Sequence, residues 1–280
     1  MNKVRVIVPA STTNLGPGFD VLGMALNLYN VFEVEINKSD ETKIEIEGEG
    51  SDILPRDEKN LVYQCAKRVF EKISEKIPPL NIRIINNIPL ARGLGSSGTA
   101  IIAGLMSANA LSGGQLTDQE ILNLATEIDG HPDNVSASMF GGVVISAQTN
   151  NGIAYMKLDM PKKLTVVAIV PDFHIITTEA RELLPRTVDI QTAVFNISRA
   201  SLLVAGLATG DFRLLDISMQ DKLHQPYRAK LIPGIYDVFE SAKAVTENVA
   251  VTISGAGSTI SAFCYDTDAC AIGESMCKAF

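Results

Sequence analysis

The chain has 280 residues, 46% of them hydrophobic and 20% charged, with a formal net charge of −8; this describes a soluble globular protein long enough for one large or two moderate domains. The acidic balance excludes a nucleic-acid surface, which needs clustered Lys and Arg. No run reaches the ~18 apolar residues of a membrane span, and no apolar stretch precedes a cleavage site near the N-terminus, so a cytoplasmic protein with no membrane partner is expected. Cys65, Cys264, Cys270 and Cys277 form no Cys-x-x-Cys pair, and His131, His174 and His224 lack zinc-type spacing. The expectation is buried or incidental thiols, with neither a disulfide framework nor structural zinc.

Taken in order, the chain opens with strand-like runs at 3–8, 30–36 and 42–47. A helix is predicted over 60–76, where Leu61, Val62, Cys65, Val69, Phe70 and Ile73 share one face, and Pro78-Pro79 ends it. Leu80, Ile82 and Ile84 alternate with polar residues as a strand. Then comes Pro89-Leu-Ala-Arg-Gly-Leu-Gly-Ser-Ser-Gly-Thr-Ala100, a small-residue loop leading into an apolar helix from about Ser97 to Leu111. Thr117-Asp-Gln-Glu120 is a capping box that starts a helix to about Ile128. In Asp129-Gly-His-Pro-Asp-Asn134, Asp133 or Asn134 is expected to cap a further helix. Runs at 141–146 and 153–158 flank Asn150-Asn-Gly152, a hairpin signal. Beyond lie a strand at 164–170, helices near 178–184 and 190–208, a basic-polar segment at 221–230, a helix near 235–246, strands at 249–254 and 259–265 around a second glycine loop, and a last helix from about 268. Strands and helices mix without strict alternation, so the class is α+β with a boundary near residue 160.

The first glycine loop carries the chemistry. Gly93, Gly95 and Gly98 let backbone N–H groups turn toward a ligand, Ser96, Ser97 and Thr99 add hydroxyls, and the helix that follows aims its positive end at the loop. No Gly-Lys dipeptide exists in the chain, so this is not a P-loop. The spacing also fits a dinucleotide fingerprint, but Asp118 lies in a helix cap where that motif requires a strand end. Phosphate binding and an ordinary glycine turn remain the two readings of the loop alone. Glu127, just before the polar segment, is the expected magnesium carboxylate. The stretch at 11–20 reads as a binding loop in which Asp20 suits an ammonium group and Asn14 a hydroxyl, while Arg181 and Arg228 could clamp a carboxylate. Ser254-Gly-Ala-Gly-Ser-Thr259 repeats the glycine-loop pattern, as a ligand contact or a tight hairpin turn.

Together these motifs resemble the GHMP family of small-molecule kinases. Residues 89–98 are similar to its central ATP motif and Ser254-Gly-Ala-Gly to its C-terminal glycine motif. Pro9-Ala-Ser-Thr-Thr-Asn-Leu-Gly-Pro-Gly-Phe-Asp20, Gly130-His-Pro-Asp-Asn-Val135, Thr177-Thr-Glu-Ala-Arg181 and His224-Gln-Pro-Tyr-Arg228 resemble the branch that phosphorylates homoserine. The resemblance implies a two-domain fold: residues 1–160 as an ATP-binding domain of mixed sheet and helices, and 161–280 as a ferredoxin-like α+β domain. It implies ATP along Pro89, Arg92, Gly93, Leu94, Gly95, Ser96, Ser97, Gly98 and Thr99, with Asn60 bordering the adenine, and Mg²⁺ on Ser97 and Glu127. L-homoserine would be met by Asn14, Asp20, His131, Asn134, Thr177, Arg181, Arg228 and Gly255, with Asn14, Asn134, Glu127 and Arg228 as the catalytic set. A homodimer serving threonine synthesis is implied too. Ser11 stands where the mevalonate branch carries an activating lysine, so positioning and charge neutralisation are expected to replace a general base. Two positions depart from the family pattern: Ser258 replaces a proline, and Asp129 a glutamate.

Overall fold

The computed structural model describes residues 1–159 and 162–280. The expected boundary between Met160 and Pro161 lies outside the described residues. Strand β1 (Lys3–Thr13) runs antiparallel to β2 (Leu22–Ile36), pairing Val4 with Val34 and Thr12 with Met24, and its register shifts between Pro9 and Ser11, where proline has no N–H to give the ladder. Both strands are longer than the sequence pattern suggested. Ser11, Thr12 and Thr13 continue β1 instead of opening a loop, and the turn comes at Asn14, whose φ is +69°.

Strand β3 (Lys43–Gly48) reaches β4 (Leu80–Asn86) through α1 (Leu61–Lys72), a parallel crossover. Helix α1 stops four residues short of the sequence expectation, at the positive φ of Ser74. The loop after β4 feeds α2 (Ser96–Leu111), whose Ile101, Ile102 and Leu105 are buried at the centre of the domain. Gly104 allows the crossing with α1, since a Cβ there would stand 2.5 Å from the Val62 carbonyl oxygen. The capping box of α3 (Asp118–Asp129) forms as expected. Helix α4 (Pro132–Phe140) starts at Pro132 with His131 as its N-cap, so neither Asp133 nor Asn134 caps it. β5 (Val143–Thr149) and β6 (Gly152–Leu158) make the expected hairpin. The first sheet is ordered β3-β4-β2-β5-β6, with β1 on the other edge of β2.

The second half contains β7 (Leu164–Ile169), α5 (Thr177–Glu182), α6 (Ile190–Thr209), the short α7 (Leu215–Ser218) and α8 (Gln225–Arg228), α9 (Ile235–Lys243), β8 (Val249–Ile253), β9 (Ile260–Tyr265) and α10 (Ala269–Ala279). Its antiparallel sheet is ordered β7-β9-β8, three of the four strands of a ferredoxin-like unit with no fourth among the described residues, and α9 and α10 pack against it. Among described helices only α6 is long and apolar enough to cross a membrane. Most of α6 is not buried, but its Leu203 and Leu207 pack in a cluster with Leu15, Leu22 and Met24 of the first half and Phe263 of the second. That shared cluster holds the loop after β1 against the second half.

Candidate active site

A cleft of about 610 Å³ opens between the glycine loop, the β1–β2 loop, the α3–α4 turn, the start of α5, Arg228 and the second glycine loop. On one side Gly93 and Gly95 take φ of +79° and +70°, and Gly95 caps α2 without a side chain, which leaves the first N–H groups of that helix open to an anion. What lies behind the loop also demands glycine. A Cβ on Gly95 would stand 2.2 Å from Ser11 Oγ, and one on Gly93 2.2 Å from the Ser254 carbonyl oxygen. Ser254 Oγ donates to the Gly93 carbonyl (2.6 Å), the Ser11 N–H donates to the Leu94 carbonyl (3.0 Å) and the Thr259 N–H to that of Arg92 (3.1 Å). The second glycine loop is therefore a buttress of the first.

Pro89, Arg92, Gly93, Leu94, Gly95, Ser96, Ser97 and Gly98 line the cleft as expected, but Thr99 and Asn60 do not. The Thr99 hydroxyl is buried, donating to the Ser96 carbonyl and accepting from Asn30. Asn60 is used up as the cap of α1, accepting from the Val62 N–H and donating to the Pro55 carbonyl; Leu61 is the residue that reaches the cleft. Arg92 reaches across to Asp172, 3.2 Å away.

The opposite side holds the expected acceptor residues: Asn14, Asp20, His131, Asn134, Thr177, Arg181, Arg228 and Gly255 all line the cleft. Their state differs from residue to residue. Asn14 donates to the Gly255 carbonyl (3.0 Å) and accepts from the Asp20 N–H (3.1 Å), so its amide is largely spent on the protein. Asn134 donates to Ser11 Oγ at 2.9 Å. Asp20 and Arg181 form a two-pronged ion pair at 2.7 and 2.8 Å, which raises the Arg181 pKa. Arg228, 2% exposed, gives one bond to the Gly255 carbonyl (2.8 Å), its Nε has no partner, and no carboxylate pairs with it among the described residues. Burial, reinforced by Arg181 and offset by Asp20, Asp133 and Asp221, pulls its pKa down to about 10. A buried cation left in this condition is a site for an anion.

Glu127 falls outside this arrangement, against the expectation of a metal ligand. Ile121, Ala125 and Ile128 form the inward face of α3, Glu127 lies off it in solvent, and Arg68 pairs with it. The carboxylate that lines the cleft is Asp129, whose Oδ1 accepts from Ser97 Oγ at 3.3 Å and whose buried Oδ2 has no hydrogen bond. Burial pushes Asp129 up to about 6, against the attraction of His131. His131 Nδ1 donates to the buried Asp133 (3.0 Å) and lies 3.3 Å from Asp129 Oδ2; burial opposes its charge, but those carboxylates lift its pKa to about 8. The two carboxylates thus favour the charged imidazolium. Sequence reasoning missed Asp129 and Asp133 as residues of the cleft. The apolar spacing of α3 already turned Glu127 outward, and that signal could have moved the choice to Asp129.

Residues 60–142 match the family described as GHMP kinases N terminal domain, and residues 203–280 match GHMP kinases C terminal. The chain is 46% identical to a homoserine kinase of Moorella thermoacetica over 98% of its own length and 92% of the relative's. It is 43% identical to one of Carboxydothermus hydrogenoformans, over 99% and 90%. Among solved structures, a homoserine kinase from Cytophaga hutchinsonii superposes with a TM-score of 0.89 at 31% identity, covering all of this chain and 91% of that one. A phosphomevalonate kinase of Streptococcus pneumoniae gives 0.73 at 12% identity, covering 100% of this chain and 97% of that one, which shows a common fold alone. The chain therefore belongs to the GHMP kinase family, among its homoserine kinases.

Proposed function

We propose that the protein transfers the γ-phosphoryl group of ATP to the side-chain hydroxyl of L-homoserine. The observation that carries the acceptor's chemistry is Arg228: a buried guanidinium with no directly paired carboxylate among the described residues, opposite a glycine loop and helix start built for phosphates. An amino-acid zwitterion supplies what the cleft lacks, its carboxylate bound by Arg228 beside Arg181 and its ammonium by Asp20. The hydroxyl then points toward Asn134 and the phosphate loop.

The acceptor oxygen forms a bond to the γ-phosphorus as the bond to the bridging oxygen breaks, ADP leaves, and the proton passes to the transferred phosphoryl group. His131, whose pKa is raised against burial by Asp133 and Asp129 to about 8, favours its charged form and suits charge neutralisation better than proton acceptance. No side chain is needed as a base where positioning and positive charge lower the barrier, and the first N–H groups of α2, His131 and the arginines supply that charge. Ser97 and the unpartnered Asp129 Oδ2 suit Mg²⁺. When bound, that ion would neutralise charge on the phosphate oxygens. A cytoplasmic homodimer serving threonine synthesis completes the proposal; the exposed Ile190, Val194 and Ile197 of α6 support self-association. An ATP-consumption assay with homoserine, serine, mevalonate and galactose tests the reading. Turnover confined to homoserine upholds it, whereas preference for mevalonate or galactose, or no turnover, ends it.

A further inference from the structure

Phe19 sits between Gly18 and Asp20 in the β1–β2 loop, half-buried, and three side chains of the other half of the molecule converge on its ring. The His224 imidazole stacks on it at 5.3 Å with 27° between the planes. The Cζ atoms of Arg181 and Arg228 lie 5.2 and 5.1 Å from the ring centroid. Neither guanidinium is otherwise fully fixed, since Arg228 has a single hydrogen bond and Arg181 is tied only to Asp20, itself an expected ligand of the acceptor.

The imidazole stacked on the ring, by contrast, is firmly held. His224 Nε2 donates to the Gly16 carbonyl at 2.8 Å. The fully buried Asp221 carboxylate accepts from the N–H groups of Leu223, His224 and Gln225 and from the Asn196 amide. Gly16 itself packs against the Met219 carbonyl so closely that a Cβ would stand 2.0 Å from its oxygen. An aromatic face backed by a hydrogen-bonded imidazole thus stands beside two cations that an acceptor's carboxylate must meet together.

We propose that Phe19 is a positioning residue for the acceptor: its π-face sets the spacing and tilt of Arg181 and Arg228 so that both forks address one carboxylate. The idea rests on the amino-acid kinase reading above. The attraction between a cation and an aromatic face is electrostatic, so it depends on the ring's quadrupole as well as its shape.

Two variants separate those contributions. Phe19→Leu should raise KM for homoserine roughly five- to thirtyfold, the worth of two such contacts, with kcat and the KM for ATP within twofold; Phe19→Trp should recover most of the loss. Replacing Phe19 by its fluorinated analogues keeps the ring's shape while draining its face, and the acceptor KM should climb with each added fluorine. A KM indifferent to fluorination, or one that rises equally for ATP, overturns the proposal even if the leucine variant folds poorly. A wild-type protein that turns over no homoserine overturns the underlying reading and this proposal with it; an active enzyme with a flat fluorine series overturns this proposal alone.

Discussion

Replacing Arg228 by methionine should weaken catalysis severely while leaving the ligand-free protein about as stable as before. The buried guanidinium is held below its ordinary pKa of 12.5, at about 10, which corresponds to about 3 kcal/mol against the charged form in the fold. Against this stands the bond to the Gly255 carbonyl, worth about 1.5–3 kcal/mol as a charge-assisted bond, and the contact with Phe19, worth about 0.5–2 kcal/mol. The Gly255 carbonyl keeps its bond from Asn14 in the variant, and methionine fills much of the vacated space. The unfolding free energy in urea should therefore move by no more than about 1–2 kcal/mol. For the acceptor the arithmetic runs the other way. Losing one side of a desolvated charge pair costs about 2–5 kcal/mol, so kcat/KM for homoserine should fall about 30-fold to several-thousand-fold, with the KM for ATP within about threefold. A coupled ADP-release assay at saturating ATP reads the first quantity and urea unfolding the second. A kcat/KM for homoserine within fivefold of wild type would refute the carboxylate assignment. A loss of more than about 3 kcal/mol in stability would show that Arg228 serves the fold instead.

Gly95→Ala should destabilise the protein by about 2–4 kcal/mol, because alanine must hold a φ of +70° and displace Ser11 Oγ from 2.2 Å; urea unfolding measures this, and an unchanged midpoint contradicts the packing described. Asp129 has a folded pKa of about 6, above the ordinary value of 3.8, so the stabilisation it gives below about pH 4 is lost as pH rises through 6. Asp129→Asn should thus gain up to about 3 kcal/mol on the wild type between pH 4 and pH 7.5 in metal-free buffer, and a constant difference between the two proteins across that range would speak against the burial argument. Glu127→Gln should leave the Mg²⁺ dependence of turnover as it is, whereas Asp129→Asn should shift the half-saturating Mg²⁺ concentration at least tenfold; the reverse pattern restores Glu127 as the ligand.

Much of the site could be read from the chain because its motifs are local. The glycine loop, the α3 capping box and the hairpin at 150–152 are written in a few consecutive residues and fold as those residues dictate. The chain is less legible where tertiary context decides. Ser11, Thr12 and Thr13 look like loop residues by composition, yet they are buried in β1, where Thr12 meets Ser254 Oγ at 2.8 Å and Ser11 supports Asn134. Asn60, which the resemblance sets beside the adenine, accepts from the Val62 N–H as the cap of α1. Glu127 and Asp129 are two residues apart, and which of them faces inward depends on the packing of α3. The convergence of Arg181, Arg228 and His224 on Phe19 joins positions up to 209 apart, a relation no spacing rule carries.

The Gly255 carbonyl oxygen receives one bond from Asn14 and one from Arg228, while Ser254 Oγ bridges Thr12 and the Gly93 carbonyl. Nucleotide loop, first-strand end and acceptor arginine are thereby stitched into a single seam. For anyone grafting halves between relatives, residues 9–20, 89–99, 224–228 and 254–259 make up one heritable cassette: a chimaera that splits them inherits a broken seam.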